Sequence, residues 1–169
     1  MTMNVADTLV ETAVRAGVQR VYGMIGDSLN PIGDAIRRNG KMRWIHVRHE
    51  EVAAFAAGAE AQLTGRAGMC AGSSGPGHLH LLNGLYDAHR SGAPVFALAS
   101  VIASAEIGGS SSRRPTPIQC LTAAACTTRA ARRVSRHHGC SRWRSSTRSA
   151  VRAWPWWSYR VTPRSRTRA

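Results

Sequence analysis

The stretch Met42-Arg43-Trp44-Ile45-His46-Val47-Arg48-His49-Glu50-Glu51-Val52-Ala53-Ala54-Phe55-Ala56-Ala57-Gly58-Ala59-Glu60-Ala61-Gln62 changes character partway along. Met42 to Val47 is a mainly apolar run of strand length, whereas Val52 to Gln62 is rich in alanine, the best helix former. Four polar residues, Arg48, His49, Glu50 and Glu51, separate the two. Strand, polar junction and helix in immediate succession make the repeating unit of a parallel sheet with helical crossovers.

The same unit recurs on either side. Upstream, Val5, Leu9, Val10, Ala13 and Val14 fall at helical spacing, so a helix is predicted from Val5 to Ala16 with Gly17 as its C-cap. Val18 to Ile25 then reads as a buried strand, broken by Gly23 and closed by the turn Gly26-Asp27-Ser28. Ser28 is a candidate N-cap for a helix through Arg38. Downstream, Ala67 to Ala71 reads as a strand feeding the turn Gly72-Ser73-Ser74-Gly75-Pro76-Gly77. His78 to Ala88 follows as helix and Pro94 to Val101 as another strand. The prediction is an α/β domain, a parallel sheet with helices on both faces. Ligands of such sheets bind at the carboxyl ends of the strands, where three loops would gather: Gly26 to Ser28, His49 to Glu51, and Gly72 to Gly77.

Charge divides the chain at about the point where this pattern stops. All nine acids, and nine of the 23 Lys and Arg residues, lie in residues 1–109. Residues 110–169 therefore hold 14 arginines and no acid, the whole of the +14 excess. In that segment Leu, Ile and Phe shrink to Ile118 and Leu121, too little apolar surface to offset the entropy of ordering, so disorder or ill-fitting, irregular structure is predicted there. A basic arm of this kind suggests nucleic acid or anionic lipid as a partner. The four cysteines, Cys70, Cys120, Cys126 and Cys140, form no CxxC pair, which argues against a zinc or disulfide framework. No apolar run reaches the roughly 20 residues of a membrane span and no signal peptide opens the chain, so a cytoplasmic protein is expected.

Two readings of Glu50 and Glu51 stay open on pattern alone. They complement the positive N-terminus of a helix, or one of them is a buried carboxylate that exchanges a proton with a heterocycle. His80 is likewise either a helix-surface residue or a site residue.

Three passages carry a resemblance: Tyr22-Gly23-Met24-Ile25-Gly26-Asp27-Ser28-Leu29-Asn30, the run from Trp44 to Glu60 around His49-Glu50-Glu51, and Ser74-Gly75-Pro76-Gly77 with the following His78 to Ala88. Together, and in this order, they resemble the N-terminal, pyrimidine-binding domain of thiamine-diphosphate-dependent enzymes. The resemblance implies that Glu50, and not Glu51, contacts N1′ of the aminopyrimidine and promotes the imino tautomer from which the ylide forms. It implies that Gly26, Asp27, Ser28, Ser74, Gly75, Pro76 and Gly77 face the cofactor, and that His80 lies near the reacting carbon. The wording of Gly26 to Asn30 and of His49 to Glu51 is more similar to pyruvate:quinone oxidoreductases than to acetolactate synthases. That implies decarboxylation of pyruvate on thiamine diphosphate with FAD carrying the electrons onward, in a homo-oligomer whose cofactor sits between subunits. The family's flavin-binding middle domain and the C-terminal domain that holds diphosphate and Mg2+ have no counterpart in the 169 residues, so this chain alone is expected to be inactive.

The resemblance breaks after Ile107, where family members read Phe-Gln-Glu-Thr-His-Pro and this chain reads Ser112-Arg113-Arg114-Pro115-Thr116-Pro117. One coding of these six residues, TCC AGG AGA CCC ACC CCN, becomes TTC CAG GAG ACC CAC CCC when a T is placed in front, which restores the family's words. The same shift at Ala153 to Thr162, where tryptophan's single codon leaves little freedom, permits Gly-Val-Ala-Val-Val-Val-Ile-Pro-Gly-Asp, a buried strand and a turn. Residues 110–169 thus read as the domain's own ending translated out of frame, and out-of-frame GC-rich codons account for the arginines with no specific nucleic-acid partner. Two alternatives remain: a basic nucleic-acid-binding protein, and one chain of a split acetolactate-synthase-like enzyme.

Overall fold

Asn4 starts the first helix by a reciprocal cap: its Oδ1 accepts from the Asp7 amide at 2.8 Å, and Asp7 Oδ2 accepts from the Asn4 amide at 3.1 Å. This helix, α1 (Val5–Arg15), leads to β1 (Arg20–Gly23), a 3-10 turn (Asp27–Leu29) and α2 (Asn30–Asn39). Gly40 closes α2 in the left-handed conformation, φ 67°, which glycine adopts without strain. β2 (Arg43–His46) and α3 (Glu50–Thr64) follow, then β3 (Gly68–Gly72), α4 (Pro76–Leu79), α5 (Leu82–Arg90) and β4 (Val95–Val101). The computed structural model describes residues 4–102 and, beyond them, only the strands β5 (Thr128–Ala131) and β6 (Trp156–Arg160).

The strands lie in the order β2-β1-β3-β4-β6-β5, with every neighbouring pair parallel. Alternation along the strands decides which helices cover which face. From β3 and β4, Met69, Ala71, Phe96 and Leu98 pack with Val10 of α1 and Ile32 and Ile36 of α2. On the opposite face Cys70, Val95, Ala97 and Ala99 pack with Ala54 and Ala57 of α3 and Leu85 of α5. The helices therefore lie on both faces, as the alternating pattern predicts. Gly84 lets α5 lie close on α3, since a Cβ there would stand 2.6 Å from both Ala54 Cβ and the Phe55 amide nitrogen.

Strand order also places the functional crevice. β1 has β2 on one side and β3 on the other, so the chain leaves β1 and β3 toward opposite faces and a gap opens beyond their carboxyl ends. The loops Gly26 to Ser28 and Ser73 to Gly77 flank that gap.

Two details differ from the sequence reading. Ser28 does not cap a helix; it sits inside the 3-10 turn, and neither that turn nor α2 has a side-chain cap, because the hydroxyl is drawn across to the loop after β3 and to β4. The helix predicted from His78 to Ala88 is two helices, with His80 and Leu81 at the break. Within residues 110–169 the structure describes the strands β5 and β6, β6 pairing with β4 through backbone hydrogen bonds, which an open sheet edge offers to any sequence. The rest of residues 110–169 lies outside the described residues. Among the described residues no helix is long and apolar enough to cross a membrane.

Candidate functional site

A row of hydroxyls ties the two loops across the crevice. Ser28 Oγ lies 3.0 Å from Ser73 Oγ and 2.7 Å from Ser100 Oγ, and it accepts from the Ser74 amide at 3.2 Å. Ser100 Oγ donates to the Gly72 carbonyl at 3.1 Å. Each hydroxyl has one proton, so these contacts fix the order: Ser100 spends its proton on Gly72, Ser28 must donate to Ser100, and Ser73 must donate to Ser28. Ser28 is then saturated, with one bond donated and two accepted. The first loop, the glycine-rich turn and β4 are held as one unit.

Glycine allows these segments to approach so closely. A Cβ on Gly26 would lie 2.5 Å from Ser73 Oγ, and one on Gly72 would lie 2.5 Å from the Gly77 carbonyl oxygen. Gly75 takes φ 75°, ψ −123°, a conformation open to glycine and strained for other residues. The bend brings the buried Gly77 against the third loop.

That third loop delivers Glu50. It is the first residue of α3 and is 7% exposed, so its carboxylate meets the positive end of the helix. Oε2 lies 3.1 Å from His80 Nδ1, and Oε1 lies 3.0 Å from the point where a Gly77 Cβ would be. Glu51 turns elsewhere, accepting from Asn83 Nδ2 at 3.0 Å. Geometry thus separates two adjacent acids that pattern alone left equivalent. His49 is the N-cap of α3: its Nδ1 accepts from the Glu51 amide at 3.3 Å, and its ring stacks on His80 with centroids 4.4 Å apart.

Of the residues singled out from sequence, the structure brings Glu50, His80, Gly77 and the Ser74 loop together and ties Ser28 to them through Ser73 and Ser74. Asp27 stays exposed in the 3-10 turn. Ser73, Ser100, His49 and His78 were not singled out. Ser100 had a legible signal, a lone hydroxyl in the otherwise apolar run Val95–Val101. His78, 1% exposed, donates from Nδ1 to the Ser100 carbonyl at 3.1 Å, and its Nε2 is buried with no hydrogen-bond partner among the described residues. Burial pushes its pKa down, with the Ser100 and Ser73 carbonyls partly opposing, so His78 is neutral.

Chemically, the crevice offers a buried carboxylate paired with an imidazole, beside a glycine turn that leaves backbone close to any bound group. The family model described as thiamine pyrophosphate enzyme, N-terminal TPP binding domain, matches residues 3–125. The chain is 50% identical over 101 residues to a putative thiamine pyrophosphate-containing protein of Bacillus subtilis, covering 59% of this chain and 18% of that one. It is 53% identical over 83 residues to pyruvate oxidase of Lactiplantibacillus plantarum, covering 48% and 14%. Against acetolactate synthase of Arthrospira platensis it is 38% identical over 106 residues, covering 61% and 18%. The chain thus spans less than a fifth of the length of each of these relatives.

Proposed function

Because the chain belongs to the thiamine pyrophosphate enzymes through their N-terminal TPP binding domain, we propose that its crevice receives the aminopyrimidine half of thiamine diphosphate, with Glu50 as the residue that meets N1′. The observation that carries this reading is the burial of Glu50 at the start of α3, against Gly77, while Glu51 faces Asn83. A buried carboxylate with one oxygen given to His80 and the other at the edge of a glycine turn suits a protonated ring nitrogen. The residues present therefore fit the group.

Each residue has a task. Glu50 holds a proton at N1′, its carboxylate standing at the head of α3. His80 orients the carboxylate through its hydrogen bond, and its half-exposed ring borders the opening through which substrate would enter. Ser28, Ser73 and Ser100 hold the two loops in register, and Gly26 and Gly77 keep side chains out of the space between them. Bound thiamine diphosphate supplies the carbanion-stabilising chemistry that decarboxylates a 2-oxo acid.

The substrate in this reading is pyruvate, and the reaction an oxidative decarboxylation. The higher identity to pyruvate oxidase than to acetolactate synthase supports that choice. Such a reaction also calls on Mg2+, FAD and a second subunit that completes the cofactor site. In this reading the chain by itself is inactive, and residues 110–169 are the domain's ending read out of frame. The DNA tests this last part: a one-base change near codons 107 to 113 opens a continuous thiamine-diphosphate enzyme frame. A frame that closes in all three readings contradicts it. Supplied with pyruvate, thiamine diphosphate, Mg2+, FAD and an electron acceptor, the frame-restored protein turns over and the present chain does not.

A further inference from the structure

His49, Glu50 and His80 each bring a ligating atom within 4.8 Å of the others, the one such group among the described residues. Two of them are consecutive and the third is 30 positions on, so the sheet and the break between α4 and α5 assemble the cluster. Glu50 is its fixed member, buried at the head of α3. The two imidazoles are its adjustable members, each about half exposed and stacked on the other at 4.4 Å.

Two imidazoles and one carboxylate form the ligand set of zinc sites that leave a position open to solvent, whereas Mg2+ and Ca2+ seek oxygen ligands throughout. We infer that the chain binds one zinc-class divalent cation at His49, Glu50 and His80. Around bound zinc each ligand sits at about 2.0–2.2 Å, so the ligands must draw in from their present spacing, which rotation of the exposed imidazoles accomplishes. The cation takes the place of the proton that His80 Nδ1 and Glu50 Oε2 now share across 3.1 Å. If His49 ligates through Nε2, its Nδ1 carries the proton and gives up the long 3.3 Å bond from the Glu51 amide. Glu51 Oε2, 3.8 Å away, then accepts from Nδ1–H, a carboxylate behind a ligating histidine that fixes its tautomer. The inference uses no cofactor and concerns the chain with its crevice free of the aminopyrimidine, which calls on the same Glu50 carboxylate.

The test follows the histidine ring resonances of the isotopically labelled full chain while buffered free Zn2+ is raised. Reading the rings one by one keeps the site distinct from His137, His138 and Cys140 elsewhere in the sequence. His49 and His80 are expected to shift together with a single midpoint, and Mg2+ to move neither. His80→Ala raises the midpoint read at His49 by about tenfold or more. Glu50→Gln, which preserves shape, does the same and covers the case in which His80→Ala disturbs the fold. Separate midpoints for the two rings overturn the inference, as does an unchanged His49 midpoint in both variants or an equal response to Mg2+.

Discussion

His80 Nδ1 stands 3.1 Å from Glu50 Oε2, although 30 residues of chain separate them. The contact exists because β3 runs beside β1, returning the chain to the crevice, and because α4 ends at His80 instead of continuing into α5. It gives Glu50 a fixed orientation, and it lets a small set of substitutions probe the crevice.

The serine row predicts coupling between positions far apart in sequence. Ser28→Ala removes the acceptor of the Ser74 amide and the donor to Ser100, while Ser100→Ala removes the acceptor of the Ser28 proton. Each single variant costs about 1–3 kcal/mol, the range for breaking a buried hydrogen bond from one side. The double variant costs less than their sum, with a coupling of about 1 kcal/mol in urea denaturation. Strict additivity contradicts the shared proton order.

How much of this was legible in the sequence depends on the kind of interaction. The strand–junction–helix reading of Met42 to Gln62 located the junction that carries Glu50, because hydrophobic period is a local property, but pattern alone did not choose between Glu50 and Glu51. The role of Ser28 was not legible. Its partners Ser73 and Ser100 lie 45 and 72 positions away, and a serine before a helix looks like a cap until strand order is known. The single helix predicted from His78 to Ala88 failed for a similar reason: helical spacing continues across His80 and Leu81, and nothing local marks a break that serves a contact with Glu50.

His78 gives the fold a pH dependence of known sign. Its folded-state pKa lies below the ordinary value of 6.5 because burial disfavours the charged ring. The unfolded chain therefore binds a proton that the folded chain refuses. Stability from this residue is fully present above about pH 6.5 and falls as pH drops below it, until the folded form also protonates. Urea midpoints of the natural chain and of His78→Asn, taken at about pH 7.5 and about pH 5.5, measure this. The loss on acidification is expected to be smaller in the variant; equal losses contradict the assignment.

Gly84 predicts a steric effect with no electrostatic part. In Gly84→Ala the added methyl meets Ala54 Cβ and the Phe55 amide nitrogen, both at 2.6 Å, and backbone cannot swing aside as a long side chain can. Separating α5 from α3 costs about 1–3 kcal/mol, the usual penalty for overpacking. Gly92→Ala, at φ 67° with open space around it, carries backbone strain alone and costs about 1 kcal/mol. A thermal denaturation series in which Gly92→Ala lowers the Tm more than Gly84→Ala contradicts the packing argument.

Titration of the labelled full chain with 4-amino-5-hydroxymethyl-2-methylpyrimidine, the free pyrimidine half, tests the assignment of Glu50 most directly. Amide shifts are expected to concentrate at Gly26 to Ser28, Glu50 and Ser74 to Gly77. Glu50→Gln is expected to weaken binding by about tenfold or more, the effect of losing a charge-assisted hydrogen bond, while Glu51→Gln leaves it unchanged. Shifts centred away from this crevice, or equal affinity in natural chain and Glu50→Gln, contradict the account.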